Sequence, residues 1–169
     1  TELTTGMLFT HVFGNPVEIE CLERLAKKHD LKLIFDAAHA VKVKYDNRSI
    51  FEYGDVSTLS LHATKVLHTI EGGAVITKSP ETLKRIADLR NFGHDGPENF
   101  VDFGINGRNC ELHAAMGLCN LLEIDNILKK RKEDYLYYYE NLKGLNLEFQ
   151  SINKNTDYNY SYFPVVFED

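Results

Sequence analysis

Lys65 is the first residue whose setting suggests chemistry. It ends the stretch SLHATK, residues 60–65, and a double glycine, Gly72 and Gly73, follows. A surface lysine requires no such setting, whereas a nucleophilic amine must be held in place and must lose its proton easily. An amine of this kind forms a Schiff base with an aldehyde and later moves protons at the substrate carbon. Lys65 is therefore a candidate nucleophile.

A second group of candidates lies in the stretch DAAHA, residues 36–40. Asp36 offers a carboxylate, Ala38 a small apolar surface and His39 a hydrogen-bonding ring. This set suits a planar heteroaromatic ligand, because the carboxylate would keep a pyridine nitrogen protonated while Ala38 lies against the ring face. His39 would then reach a phenolic oxygen, and Ser60 could donate to a cofactor phosphate. Because Asp36 and Lys65 occur together, this interpretation is favoured over the alternatives, in which Asp36 only caps the end of a strand and Lys65 is a solvated surface charge.

The surrounding elements predict an α/β fold. Four short apolar runs predict buried strands, at MLFTHVF (7–13), LKLIFD (31–36), VSTLSL (56–61) and GGAVIT (72–77). Helix-start patterns occur at Asn15-Pro16 with Glu18 and at Ser79-Pro80-Glu81, and the first predicts an inward stripe of Cys21, Leu22, Leu25 and Ala26. Strands alternating with helices indicate a sheet that is at least partly parallel. Ligands bind beyond the carboxyl ends of such strands, where Asp36 and the loop carrying Lys65 would both lie.

The second half of the chain predicts a long helix after a polar loop. The loop spans residues 91–109, and the helix begins at Glu111 and runs for some thirty residues, with a possible break near Asp125 and Asn126. Its first inward stripe is expected to be Leu112, Ala115, Met116, Cys119 and Leu122. Four tyrosines between 135 and 139 are expected to pack against a neighbouring element. The run YNYSYFPVVF, residues 158–167, predicts a strand.

Composition excludes several classes of protein. A net charge of -6 and a pI near 5.6 argue against a nucleic-acid-binding protein, which needs clustered Lys and Arg. No apolar run approaches the ~20 residues of a membrane-spanning helix. Three widely spaced cysteines without a signal peptide suit a reducing compartment, so a cytoplasmic location is expected.

Three motifs together closely resemble a known family. DAAHA, SLHATK with EGGAVIT, and GINGRNCELHAAMGL (104–118) resemble the DegT/DnrJ/EryC1/StrS sugar aminotransferases. The resemblance implies a three-layer α/β/α large domain of the aspartate-aminotransferase fold. It also implies pyridoxal 5'-phosphate as cofactor, a nucleotide-linked keto-sugar as substrate, glutamate as amino donor and a homodimer. Such enzymes serve amino-sugar biosynthesis, including that of lipopolysaccharide and other polysaccharides.

The resemblance also implies roles for single residues. Lys65 corresponds to the Schiff-base lysine, Asp36 to the partner of the pyridine nitrogen, His39 to the neighbour of the ring oxygen and Ser60 to a phosphate ligand. Asn106 and Arg108 match a loop that in relatives reaches the other subunit's cofactor phosphate. Some relatives carry histidine in place of the lysine and perform dehydration, so Lys65 points to amino transfer. Two departures are the sequence TIEGG at 69–73 in place of GEGG, and Asn109 in place of a hydrophobic residue.

The length of the chain sets further expectations. Family members are much longer, so residues 1–124 are expected to be part of the cofactor-binding large domain. Residues 125–169 would be a connecting helix and the start of a small α+β domain, and such a piece is expected to be inactive alone. The alternative is a complete, non-catalytic module that binds a nucleotide-sugar or a protein. A zinc site built from Asp36, His39, His62 and His68 is a third interpretation, disfavoured because these residues lack metal-ligand spacing.

Overall fold

The computed structural model describes residues 1–167 and contains nine strands and three α-helices within that range. In chain order the elements are β1 (Gly6–Thr10), α1 (Ile19–His29), β2 (Lys32–Asp36), β3 (Lys44–Tyr45), β4 (Arg48–Ser49), β5 (Val56–Ser60), β6 (Gly73–Thr77), α2 (Pro80–Leu89), α3 (Glu111–Leu142), β7 (Leu147–Phe149), β8 (Thr156–Asp157) and β9 (Val165–Phe167).

The main sheet has the strand order β1-β2-β5-β6. Strands β1, β2 and β5 are parallel, and β6 pairs antiparallel with β5. The four predicted strands and the partly parallel sheet are therefore confirmed. The first strand, however, ends at Thr10 instead of Phe13, and it is mostly exposed rather than buried. Helix α2 also begins as its sequence predicts, because the Ser79 hydroxyl accepts a hydrogen bond from Thr82 N at 3.1 Å and Pro80 takes the first helical position.

The core lies between strand β2 and helix α1. Leu33 and Phe35 point from β2 into this core, where they pack with Ile19 and Ala26 of α1. Burying a large apolar side chain of this kind stabilises the fold by about 1.5–3 kcal/mol. Because β2 is paired on both edges and packed by this core, the position of its last residue, Asp36, is well fixed.

Helix α1 differs from its prediction at its start. It begins at Ile19 rather than after Asn15, because the Asn15 side chain bonds distant backbone: its Nδ2 donates to Ser151 O at 2.8 Å, and its Oδ1 accepts from Asn153 N at 2.9 Å. The predicted inward stripe is also partly wrong. Ala26 is buried and Leu22 packs half-buried against the core, as predicted, whereas Cys21 and Leu25 are exposed and Ile19 is buried.

Helix α3 is continuous, so the predicted break near Asp125 and Asn126 is wrong. It contacts the rest of the described chain near its middle, where Ile124 packs with Val41 and Val66. The predicted inward stripe is wrong at four of its five positions. Leu112 and Leu122 are 79% and 84% exposed, Ala115 and Cys119 are exposed as well, and only Met116 is half-buried.

The predicted strand over residues 158–167 is confirmed only at β9. Residues 158–162 leave the ladder because Asn159 and Ser161 bond the backbone around His39, and Tyr160 has a φ of 53°. The expected tyrosine packing is present: Tyr135 lies 4.8 Å from Phe163, ring centroid to ring centroid. Among residues 1–167, no helix has both the length and the apolar character needed to cross a membrane.

Candidate active site

Asp36 and the loop that carries Lys65 lie at one edge of the sheet. Asp36 is the last residue of β2 and is in register with Thr58 of the parallel strand β5. The chain leaves β5 at Ser60 and turns through His62, whose carbonyl accepts a hydrogen bond from Lys65 N at 2.9 Å. Both groups therefore lie beyond carboxyl ends of neighbouring parallel strands, as the sequence predicts.

Neighbouring groups fix the Asp36 carboxylate. Its Oδ1 accepts from Ala38 N at 3.0 Å and from the Thr58 hydroxyl at 3.4 Å. Within residues 1–167, Oδ2 accepts no hydrogen bond from a side chain or from the backbone. The half-buried side chain thus has one oxygen that orients it and one acceptor left for a ligand.

His39 lies beside Asp36 and Lys65. Its ring centroid is 6.3 Å from that of Phe13, nearly parallel to it, and 4.7 Å from that of Tyr162. Burial lowers the pKa of His39, the nearby Lys65 charge lowers it further, and Asp36 partly opposes both effects. The imidazole is therefore favoured in its neutral form, which can donate one hydrogen bond and accept another.

The Lys65 amine contacts a residue that is distant in sequence. Lys65 Nζ donates to Tyr162 Oη at 3.5 Å. The small cavity between them measures ≈ 10 Å³, about the space of one water molecule. It is lined by Ala38, His39, Val41, Thr64, Lys65, Val66, Ser161 and Tyr162. Segments that are far apart in sequence therefore surround the amine.

Ser60 and the residues after it form a tight turn. The Ser60 hydroxyl accepts from His62 N at 3.3 Å, and the His62 ring nitrogen Nδ1 lies 2.9 Å from the Thr64 hydroxyl. The hydroxyl proton of Ser60 is left to donate to a ligand. Ser60 thus lies one turn before Lys65 at the same edge of the sheet.

Asn106 and Arg108 lie in the exposed loop after α2. Asn106 forms an isolated bridge with Asn91, and the Arg108 guanidinium carbon lies 4.8 Å from the centroid of the Phe92 ring. In the part of the chain that the structure describes, neither side chain hydrogen-bonds to Lys65, Asp36 or His39. The predicted site residues therefore fall into two sets. Asp36, Ala38, His39, Ser60 and Lys65 lie at one edge of the sheet, and the loop with Asn106 and Arg108 does not join them.

Tyr162 and Asn159 are site residues that sequence reasoning missed. Both lie in YNYSYFPVVF, whose aromatic character predicts a strand. The signal that could have identified them is the pair of small polar residues, Asn159 and Ser161, between aromatic ones. Polar residues at alternate positions of an otherwise aromatic run indicate either a solvent-facing side or a buried polar network. Here both are buried, at 2% and 9% exposure.

The donor set fits pyridoxal phosphate better than a metal ion. Asp36 keeps an acceptor for a ring nitrogen, Ala38 presents a methyl group, His39 a neutral ring and Lys65 an amine. Within residues 1–167, no cluster of three or more His, Cys, Asp and Glu residues could hold a metal ion. A larger cavity of ≈ 850 Å³ lies between the start of α1 and residues 151–154, away from all of the predicted site residues.

Comparison with known proteins supports this assignment. The profile of the DegT/DnrJ/EryC1/StrS aminotransferase family matches residues 1–169. The dTDP-4-amino-4,6-dideoxy-D-glucose transaminase of Shigella dysenteriae is 39% identical, over 99% of this chain and 46% of its own length. The chain thus spans about half the length of the curated relatives it matches.

Solved structures agree with the sequence matches. S. venezuelae DesV, solved with a ketimine intermediate, superposes with a TM-score of 0.91 at 30% identity, covering 98% of this chain and 45% of DesV. Helicobacter pylori PseC, an aminotransferase of pseudoaminic acid biosynthesis, also superposes with a TM-score of 0.91, at 27% identity over 99% of this chain and 47% of its own. The expected α/β fold of the pyridoxal-phosphate-dependent transferases is therefore confirmed.

Proposed function

The chain belongs to the DegT/DnrJ/EryC1/StrS aminotransferase family, and from that premise we propose that the protein transfers an amino group to a nucleotide-linked keto-sugar. One observation carries the proposal: the Lys65 amine and the Asp36 carboxylate lie at the same sheet edge, beside the neutral ring of His39. The cofactor would be pyridoxal phosphate, and the amino donor would be glutamate. Relatives named as sugar transaminases support the substrate class.

Each residue of the site has a distinct proposed task. Asp36 would hold a proton at the ring nitrogen, Ala38 would contact the ring face and His39 would bond the ring oxygen. Ser60 would donate its hydroxyl proton to the phosphate. When bound, the cofactor supplies an electron-accepting ring that stabilises negative charge on the carbon next to the amino group.

The protein supplies position and proton transfer around that ring. The hydrogen bonds from Ala38 N and Thr58 hold the Asp36 carboxylate, so its charge favours a protonated ring nitrogen without rearrangement. The Lys65 amine is the base that would take a proton from the substrate carbon bearing the amino group and return it to the carbon on the other side of that nitrogen. His39, favoured in its neutral form, can donate a hydrogen bond to an oxygen without adding positive charge to the site.

We propose further that the active protein is a cytoplasmic homodimer. Asn106 and Arg108 are exposed and do not hydrogen-bond to this chain's own Lys65 site, which is consistent with donation to the phosphate in a second subunit. On this proposal residues 1–169 alone lack the phosphate contacts that a second subunit supplies, and Ser60 is then the main phosphate ligand. Residues 1–169 alone would therefore bind pyridoxal phosphate weakly and lack activity. Residues 1–124 would belong to the cofactor-binding domain and residues 125–169 to the connection with a small domain.

Trapping the cofactor on the protein tests the proposal. The full-length protein is incubated with pyridoxal phosphate and reduced with borohydride, and its peptides are mapped by mass spectrometry. The expected label is on Lys65, and Lys65→Ala abolishes it while Lys78→Ala does not. Label on Lys42, Lys44 or Lys78 would contradict the assignment. No label, together with retained binding of a nucleotide-sugar, would favour the non-catalytic binding module.

A further inference from the structure

Tyr162 is the aromatic residue in contact with the Lys65 amine, 97 residues away in sequence. We propose that Tyr162 is a positioning residue, whose hydroxyl and ring hold the end of the Lys65 side chain in place for attachment of the cofactor. This inference rests on the proposed function and adds to it a residue outside the family motifs.

The contacts of Lys65 support a positioning role. A lysine side chain has a flexible four-carbon stem and needs an external contact to fix its end. Nζ lies 3.5 Å from the Tyr162 oxygen and 6.0 Å from the ring centroid, so the amine lies nearer the hydroxyl than the ring centre. Lys65 and Tyr162 both line the adjoining cavity of ≈ 10 Å³, together with Ala38 and His39.

Tyr162 is itself held by aromatic contacts. Its ring centroid lies 4.7 Å from that of His39 and 5.3 Å from that of Phe13. His39 is a proposed cofactor ligand, so one aromatic group contacts both the amine and the residue expected beside the ring oxygen. Tyr162 can therefore hold the Lys65 amine and the His39 ring in a fixed position relative to each other.

A buried polar network anchors the segment that carries Tyr162. Asn159 Nδ2 donates to His39 O and to Val41 O, each at 2.8 Å. The Ser161 hydroxyl lies 3.2 Å from His39 O and 2.6 Å from Asn159 Oδ1. Arg131 donates to Ser161 O at 2.9 Å. Because an unsatisfied buried amide would be costly, this network fixes the backbone on both sides of Tyr160.

The test compares two reactions of Lys65 in the full-length protein. The first is attachment of pyridoxal phosphate, trapped with borohydride at successive times, which requires a correctly placed amine. The second is acetylation by trace acetic anhydride, which approaches from solution and reports general amine reactivity. Tyr162→Phe keeps the ring and removes the hydroxyl. Tyr160→Phe makes the same change two residues away, where the ring packs on Tyr135 and Tyr158.

The ratio of the attachment rate to the acetylation rate is the measured quantity. Loss of one hydrogen bond to the amine should lower this ratio about fivefold in Tyr162→Phe, and Tyr160→Phe should leave it unchanged. Melting temperatures check that both variants fold. An unchanged ratio in Tyr162→Phe, or an equal fall in Tyr160→Phe, overturns the inference while labelled Lys65 still supports the proposed function. Absence of label on Lys65 in the unmodified protein overturns both.

Discussion

Protonation of His11 should destabilise the fold. Its side chain is 1% exposed and stacks on Phe35, with ring centroids 4.6 Å apart. Nδ1 accepts from Val17 N at 3.2 Å, so the neutral ring carries its proton on Nε2, which has no hydrogen-bond partner among the described residues. Burial lowers the pKa of His11 from 6.5 to about 4, although Asp36 opposes the shift.

The magnitude of the effect follows from the difference between the folded and unfolded pKa values. Between pH 6.5 and about pH 4 the unfolded chain binds a proton that the folded chain does not, so stability falls as the pH falls. The full difference corresponds to about 3 kcal/mol, of which about 2 kcal/mol is lost between about pH 7.5 and about pH 5. A loss of this size is a large part of the stability of an ordinary domain.

The assay is urea unfolding followed by circular dichroism at the two pH values. His11→Asn keeps an acceptor near Val17 N and removes the titrating group, so its loss of stability should be smaller by about 2 kcal/mol. His29→Asn makes the same change on the exposed end of α1 and should behave like the unmodified protein. Equal losses in His11→Asn and the unmodified protein would refute the reasoning, because another group would then carry the pH dependence.

Two further predictions concern the residues around the site. Gly14→Ala should destabilise the protein strongly, since the new Cβ would lie 2.7 Å from His39 O at a φ of +84°. Gly96→Ala, at a φ of +97° with open space around it, should lower the stability only by the roughly 1–2 kcal/mol of backbone strain. Equal losses of stability for the two variants in thermal unfolding would contradict a clash at Gly14. Asp36→Asn should keep the fold, because its side-chain oxygen can still accept from Ala38 N, and should lower transaminase turnover at least about a hundredfold. A nearly normal rate would make Asp36 a strand-end cap.

Local patterns predicted those parts of the fold that short-range physics determines. The run LKLIFD forms β2 because its alternate residues Leu33 and Phe35 are buried, and its last residue lies at the expected sheet edge. The meeting of Asp36 with the Lys65 loop followed from parallel strands alone. Fold class and the centre of the site were therefore accessible from sequence.

The errors arose where distant residues compete with local signals. Asn15 has the character of a helix cap, yet its amide bonds residues 151 and 153, which lie 136 and 138 positions away. Asn159 and Ser161 similarly bond the backbone of residues 39–41 instead of continuing a strand. Asn159 and Ser161 are a local signal of a buried polar network, but nothing near Tyr162 in sequence indicates that its partner is Lys65.

The hydrogen bond from Asn159 to His39 O joins residues 120 positions apart, and this has a consequence for biosynthesis. Contacts of such sequence separation require closure of a long loop, which delays their formation relative to local structure. A ribosome extends the chain N-terminus first, so Lys65, Asp36 and His39 emerge long before Asn159 and Tyr162. The nascent chain can form helix α1 and the first strands early, but the Lys65 amine lacks its contact with Tyr162 until residues 158–162 have been synthesised and have docked.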